Sequence, residues 1–360
     1  MSNNNITSSV IMSNIDFELS AAFDYEFSGE VTFNIKDNAE MKKRMQSKFG
    51  IGLIVGSSGS GKSITAEQSG LFEECFYWDN ERSICSHFNS AQEAQEKLCA
   101  VGLNSVPSWM KPFSTLSTGE KFRASLAISL KNNSFFDEFT SVVDRNVAKS
   151  CSKSIRKYID RAGLTGIVLA SCHYDIIEWL QPDWIFDTST GELTERRADR
   201  QFPKIEIKIR PCTWESWAAF SKHHYLDSKI NKSATFWLAS WDGVDVGFCS
   251  TIAFPNGNIK NGRRGHRTVV LPDYQGMGIG VRISDAIAKL TVEAGHRYFS
   301  KTSHFAMGEY RQVNKHWKPT SKNKKSRNDY NVDRKTKEDG HKMKHKNRVC
   351  YSHEYILNPE

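Results

Sequence analysis

The segment that most limits what this chain can fold into is Gly56-Ser57-Ser58-Gly59-Ser60-Gly61-Lys62-Ser63. It follows the short apolar run Ile51-Gly52-Leu53-Ile54-Val55 and precedes a stretch of helical composition. A buried strand, a glycine-rich turn and a helix in that order form a cradle for phosphate. The glycines let backbone amides turn inward, and the helix N-terminus adds partial positive charge. In such a cradle Lys62 reaches the outer phosphates of a nucleotide and the Ser63 hydroxyl holds magnesium. The plain alternative is a Gly/Ser-rich turn without a ligand, which a complete match between strand and helix disfavours.

At 360 residues the chain is long enough for two domains of roughly 100–200 residues each. Hydrophobic residues make up 39% and charged residues 25%, as in ordinary globular proteins. No apolar run approaches the roughly 18 residues of a membrane span, so no membrane partner is expected. Met1 to Ile15 lacks the apolar core of a signal peptide. The eight cysteines form no C-x-x-C pair, which argues against a zinc site and fits a reducing, cytoplasmic location. The net charge is +8, a bias towards anionic partners. Between Lys318 and Arg348 twelve Lys or Arg face four Asp or Glu, a local +8 equal to the excess of the whole chain. This run reads either as a solvated tail or as a contact with nucleic acid phosphates.

The aromatic-rich stretch 17–35 reads as one or two strands, 41–49 as a basic helix, and 90–101 and 121–130 as helices. Gly166-Ile-Val-Leu-Ala170 reads as a second buried strand, so the first half is an α/β parallel sheet. The charged stretch 192–210 marks a boundary, and a new pattern begins at Thr213. Strands are expected at 235–240, 246–253 and 267–271, with a helix over 280–294. The division is 1–200, 201–317 and a basic segment 318–360.

Leu116-Ser-Thr-Gly-Glu-Lys-Phe-Arg resembles the signature of ABC ATPases, and Asp137-Glu138-Phe-Thr140-Ser141-Val-Val-Asp144 resembles their second nucleotide motif and D-loop. His173 follows an apolar strand where that family keeps its switch histidine. The resemblance, which covers about residues 17–195, implies ATP as ligand, Mg2+ on Ser63 and Asp137, Glu138 polarising the attacking water, and His173 at the γ-phosphate. It also implies that Ser117 and Gly119 cap a nucleotide held by a second copy, giving a homodimer with ATP in the interface. Thr118 and Phe139 depart from the family's Gly and Pro, and the helical arm is short, with Leu116 only 60 residues after Gly56. A short arm without a membrane segment resembles the soluble mechanical ABC proteins more than transporters. Gln92 and Gln95 are the candidates for the Q-loop glutamine.

In the second half, Gln275-Gly276-Met277-Gly278-Ile279-Gly280 follows the apolar stretch Val269-Val270-Leu271 and resembles the acyl-CoA loop of GNAT acyltransferases. That resemblance implies a mixed-sheet α+β domain whose loop amides hold the pyrophosphate of acetyl-CoA or another acyl-CoA, with pantetheine along Val269–Leu271 and Arg267 adding charge. A tight strand-to-helix turn is the alternative. Lys222-His-His-Tyr-Leu226 and the stretch 234–248 are similar to phage Mom-type DNA-modification proteins, as is Ser300-Lys-Thr-Ser-His304. The candidates for proton transfer and carbonyl polarisation are His224, Tyr225, Ser303, His304 and Tyr310. Trp317, next to the basic run, is the tryptophan singled out for stacking on a base. Together these resemblances imply an ATPase sheet domain followed by a GNAT domain that modifies nucleic acid. The alternatives are acylation of a protein lysine or small amine, and a non-catalytic ATP-dependent DNA clamp.

Overall fold

All five residues of the strand Ile51–Val55 are buried, which requires neighbours on both edges and cover on both faces. The computed structural model, which describes residues 4–196, 201–224, 229–327 and 348–359, supplies them. The chain divides into two units, Met1–Pro203 and Lys204–Glu360.

In the first unit, β1 (Asn4–Ser9) and β2 (Glu30–Ile35) form a two-stranded antiparallel ribbon around α1 (Asn14–Ala22). The expectation of strands across 17–35 is thus corrected in its first part. Residues 14–22 are helical, with Ser13 and Asp16 closing a capping box at the N-terminus. After α2 (Ala39–Met45) come β3 (Ile51–Val55), α3 (Lys62–Gln68), α4 (Ala91–Ala100), α5 (Val106–Trp109) and α6 (Thr118–Ser129). Then follow β4 (Phe135–Phe136), α7 (Arg145–Ala162), β5 (Ile167–Ser171), α8 (Ile177–Leu180), β6 (Trp184–Asp187) and β7 (Glu192–Glu195). The sheet order is β4-β5-β3-β6-β7. Strands β4, β5, β3 and β6 are parallel, and β7 closes the edge antiparallel to β6.

The longest helix shows why the layers hold. Asp144 caps α7 by accepting the amides of Asn146 (2.9 Å) and Val147 (3.0 Å). Gly163 ends it in the left-handed region. Val147, Cys151, Ile155 and Ile159 recur every fourth residue and are all buried, an apolar stripe facing the core. On the sheet's other face Ile54 packs with Met41, Phe49 and Trp184.

In the second unit, β8 (Lys208–Cys212), α9 (Trp217–Phe220), β9 (Thr235–Trp241), β10 (Val244–Ala253) and β11 (Gly262–Val270) lead to α10 (Ile279–Glu293). Next come β12 (Arg297–Thr302), α11 (Phe305–Val313), β13 (Trp317–Pro319), β14 (Lys325–Arg327) and β15 (Arg348–Tyr355). The sheet order is β13-β15-β12-β11-β10-β9-β8, with β14 on β15. The segment set apart as 318–360 therefore contributes strands: β15 lies between β12 and β13. Residues 328–347, most of the basic run, lie outside the described residues. Among the described residues no helix is long and apolar enough to cross a membrane.

Gly52 carries the tightest approach in the first sheet, since a Cβ there would lie 2.0 Å from the Trp184 ring. Overpacking of this kind costs about 1–3 kcal/mol. Gly52→Ala is expected to lower Tm by several degrees in a thermal melt of the whole chain; an unchanged Tm would show that the Trp184 ring yields freely.

Candidate active sites

At the end of β3 the chain turns through the phosphate-cradling loop. A Cβ on Gly56 would lie 2.1 Å from Thr188 Oγ1 and 2.4 Å from Ser60 Oγ, so only glycine fits there. Ser60 and Thr188 share a hydrogen bond of 2.6 Å, and Thr188 Oγ1 also donates to the Val55 carbonyl. Gly59 and Gly61 have φ of 77° and 87°, and Gly61 starts α3 without a side-chain cap. Ser57, Ser58 and Gly59 are exposed at the loop's crest. Lys62 is only 5% exposed. Its ammonium is held inside the loop, donating to the carbonyls of Gly56 (3.1 Å) and Ser57 (2.9 Å).

Ser63 Oγ donates to Asp137 Oδ2 at 2.5 Å, so strand β4 delivers a carboxylate to the first turn of α3. A hydroxyl and a carboxylate in contact suit neighbouring positions around magnesium, which takes one or two protein ligands and otherwise keeps water and phosphate oxygens. Asp137 Oδ1 accepts the Glu138 amide. Glu138 and Thr140 both have positive φ, 48° and 71°. For the β-branched, buried Thr140 this is strain of order 1–3 kcal/mol. The strained turn is pinned by Phe139, which is fully buried. Its amide donates to the Ala170 carbonyl at 2.7 Å, and Ser171 Oγ donates to its carbonyl. That amide explains the departure at Phe139: a proline there would have no N–H to give.

His173 stands beside this turn, its Nδ1 3.4 Å from Thr140 Oγ1. Burial first and the Arg145 charge second lower its pKa, against the carboxylates of Asp175 and Glu138. His173 is therefore a neutral ring at neutral pH. Ser117 is exposed at the start of α6, where it forms a capping box with Glu120, and a Cβ on Gly119 would lie 3.3 Å from Val143. Of the Q-loop candidates, both on α4, Gln92 is exposed and bonded to Glu96 (2.9 Å) and Gln95 is half-buried. The carboxyl beside Asp137 is instead Glu73, raised by burial and by the Asp137 charge, and it accepts the Asp137 amide. No motif in the sequence marks Glu73.

In the second unit, β11 and β12 pair in parallel only from Gly262/Arg297 to Arg264/Phe299. Beyond that level β11 stays on β10 as far as Gly247/Val270, so the two parallel strands part and leave a notch. The loop that follows is anchored from below by buried Tyr274, Met277 and Ile279. Gln275 is a lock: its Nε2 donates to the Val270 carbonyl at 2.8 Å. Gly276 and Gly278 have φ of 87° and 83°, and Gly278 begins the 15-residue α10 with no side-chain cap. Its first amides are thus free to meet an anion. Val269 is in the core, and Leu271 donates its amide to Val246. A Cβ on Gly280 would lie 3.5 Å from Val270 and 3.9 Å from Met307, which places the start of α11 beside the loop.

The candidate catalytic residues fall into two groups. Ser303 and His304 lie in the turn from β12 to α11. His304 Nδ1 accepts the Met307 amide at 3.4 Å, which leaves the proton on Nε2. His224 lies with His266, on the sheet face of Trp217 and Phe248. Its pKa is near 4, lowered by burial and then by the charges of Arg267 and His266. His266, which the sequence reading missed, is the extra residue of a β-bulge, because Ser250 pairs with Arg267 and Thr251 with Gly265. Tyr225 lies outside the described residues. The Tyr310 hydroxyl donates to Asp285 and accepts from Asn314. The reading of Trp317 is corrected. This residue is buried, donates to Asp285 at 2.8 Å and packs edge-on to Tyr355, so it offers no face to a base.

With this geometry in place, comparison with known proteins separates the units. Residues 174–312 match the model of the acetyltransferase (GNAT) family. This part of the chain carries a GNAT acetyltransferase domain. Positions 174–203 of the match belong to the first structural unit, so the folded domain itself begins at Lys204. Among solved structures, a GNAT acetyltransferase from Elizabethkingia anophelis with acetyl-CoA bound is 13% identical, over 42% of this chain and 98% of its own, at a TM-score of 0.28. The ribosomal-protein-S18-alanine N-acetyltransferase of Escherichia coli is 12% identical over 42% and 93%, at 0.30. A bacterial ABC transporter cassette in a dimeric structure is 16% identical over 47% and 90%, at 0.33. No curated protein matches the chain.

His224, His266 and His353 are each held at about 4, by burial first, whereas unfolded histidines titrate near 6.5. The unfolded chain therefore binds more protons between these values. The histidines' contribution to stability is complete above about pH 6.5 and is lost as pH falls towards 4. Asp285 and Glu73, both raised with burial as the first cause, act in the opposite sense. Tm is expected to be lower at pH 5 than at pH 7.5 at constant ionic strength; an equal or higher Tm at pH 5 contradicts the burial of these rings.

Proposed function

We propose that this protein is an N-acyltransferase that uses acetyl-CoA or another acyl-CoA, acts on nucleic acid, and is controlled by ATP binding and hydrolysis in its first unit. The observation that carries the reading is the parting of β11 from β12 beside the uncapped N-terminus of α10, within a GNAT domain. In this reading the amides of 276–280 hold the pyrophosphate. The open edge of Val269–Leu271 pairs with pantetheine. The bulged backbone at His266 provides a donor for the oxyanion.

Acyl transfer needs a deprotonated amine, a polarised thioester carbonyl and a proton for the leaving thiolate. With its pKa near 4, His224 is a weak base and serves as a neutral hydrogen-bonding group for the incoming amine. His304 Nε2 donates towards the thioester, and the Ser303 hydroxyl is the proton source for sulfur. The basic residues of β11, Arg263, Arg264 and Arg267, together with the run 318–348, favour a polyanionic substrate over a free small amine.

In the first unit, Lys62 and the loop amides fit the phosphates of ATP, and Ser63 and Asp137 fit Mg2+. A bound magnesium nucleotide supplies the phosphoryl group to be hydrolysed. Glu138 orients the attacking water, and neutral His173 donates a hydrogen bond to the outer phosphate. Exposed Ser117 and half-buried Gly119 cap the nucleotide of a second copy, so ATP builds a homodimer.

The test offers purified protein radiolabelled acetyl-CoA, with and without ATP and magnesium, and separately duplex DNA, single-stranded DNA, tRNA and a lysine-rich protein. Label is expected in a nucleic acid, with more in the presence of ATP. Lys62→Ala is expected to remove the ATP stimulation and leave the basal transfer. Label confined to protein moves the assignment to a lysine acyltransferase. In the same assay His224→Ala combined with Ser303→Ala is expected to reduce transfer at least tenfold, on the scale of positioned acid–base groups (roughly 10²–10⁴-fold); full activity in that variant removes both residues from the mechanism.

A further inference from the structure

An aromatic and basic rim opens to water beside His224 and His266. Trp214 follows β8 and begins the turn Trp214–Ser216 that leads into α9. It is 39% exposed, a large apolar ring left partly in water. Lys232 stands over that ring, its Nζ 3.8 Å from the ring centre, well inside the roughly 6 Å range of a cation–π contact. Lys232 is itself exposed, so an indole and an ammonium are presented side by side at the surface. The neighbouring carboxylate, Glu215, turns back on its own segment. It accepts from the Thr213 hydroxyl and from its own backbone amide.

Printed contacts tie this rim to the candidate catalytic histidines. In a 3₁₀ turn residues three apart lie one above the other, so Trp214 stands one turn, about 6 Å, from Trp217. Trp217 is buried, and its ring centre is 5.7 Å from that of His224. On the other side the Asn231 amide, next to Lys232, donates to His266 Nε2 at 3.4 Å. Arg267 Nη2 donates to the Lys229 carbonyl at 3.2 Å, which holds the 229–232 segment on β11. The sheet adds a second cation. Arg264 is the cross-strand partner of Ile252, and Ile252 packs in the cluster of Trp217 and Phe236. Cross-strand partners share a face, so Arg264, which is exposed, lies on the sheet face that carries Trp217 and His224.

An indole beside an ammonium and a guanidinium suits a flat ring joined to an anion. Nucleobases stack on aromatic side chains, and their phosphates meet Lys and Arg. The one-turn offset of about 6 Å is less than two base steps of roughly 3.4 Å. Trp214 therefore meets a neighbour of the modified base and not that base itself. Stacking needs an open base face, which a duplex hides and a single strand or loop offers. The same surroundings disfavour a basic peptide carrying a substrate lysine, because residues 246–272 hold Lys260, Arg263, Arg264 and Arg267 and no Asp or Glu. We propose that Trp214, Lys232 and Arg264 form a docking surface for single-stranded nucleic acid. The base that flanks the target stacks on Trp214, and the phosphates beside it lie on Lys232 and Arg264. The inference rests on the nucleic-acid reading above.

Binding tests this without an acyl donor. Fluorescence anisotropy follows titration of the full chain into labelled single strands of DNA and RNA of about twelve nucleotides, a length within the site sizes of single-strand binders. The same strand with abasic sugars, the duplex and a poly-glutamate peptide are titrated alongside. Single strands are expected to bind more tightly than the abasic strand. Trp214→Ala is expected to weaken the single strand roughly fivefold or more, the scale of one base–aromatic stack, and to leave the abasic strand unchanged, while Trp214→Phe keeps most of the affinity. Lys232→Gln and, separately, Arg264→Gln are expected to weaken both strands and to reduce the slope of log K against log salt by about 0.7 each. A thermal melt shows whether each variant is folded. Wild-type affinity for single strands in folded Trp214→Ala would overturn the inference and leave the nucleic-acid reading intact. An equal loss on the abasic strand or the duplex would overturn the stacking assignment. Tight binding of poly-glutamate that depends on Trp214 would overturn it in favour of an acidic peptide. Failure of every nucleic acid to bind would overturn the nucleic-acid reading and this inference together.

Discussion

Parallel alignment of β4, β5, β3 and β6 is the constraint on which the first unit depends. Parallel strands send their C-terminal ends to one edge of a sheet. From that edge come the loop after Val55, Asp137 after β4, His173 after β5 and Thr188 after β6. Residues separated by more than a hundred positions meet there because four strands end together. The strand core is buried on both faces, so the positions of these ends are set by packing. The strained backbone at Glu138 and Thr140 is held by the same device, since Phe139 and Ser171 tie it to the end of β5.

The second unit makes its site by the opposite device, a break in pairing. Three residue pairs join β11 to β12 and then the ladder stops. A parted ladder leaves backbone groups to be satisfied by something other than the neighbouring strand, and the loop into α10 opens beside it. The bulge at His266 bends β11 at the level where the strands part. Insertion of β15 next to β12 pairs His353 with Ser300, just beyond that level.

Most of the elements that carry motifs were legible in advance, because each motif needs a local context that leaves its own mark. The strand 51–55 was readable as an apolar run between glycines, and α10 as a helix after a glycine loop. Residues 17–22 were misread because aromatic content favours strands, while a capping box at Ser13 and Asp16 fixed a helix over 14–22 instead. The run 318–360 was read by charge alone. Its structural contribution comes from Val349 to Tyr355, whose alternation only has meaning once β12 and β13 flank it. Trp317 looked available for stacking because it adjoins basic residues in sequence; its Asp285 partner lies on α10, more than thirty residues earlier.

By itself the sequence determined where a glycine loop joins a strand to a helix, since such a turn is built from local backbone conformation. It determined the α/β character of the first half through buried runs alternating with helical stretches. Only the tertiary structure decided which side chains share a site. Glu73 beside Asp137, His266 in a bulge, and His353 on Gln312 of α11 depend on strand register and helix packing. A residue's neighbours across a sheet are set by how distant segments pair, and sequence spacing carries no record of that pairing.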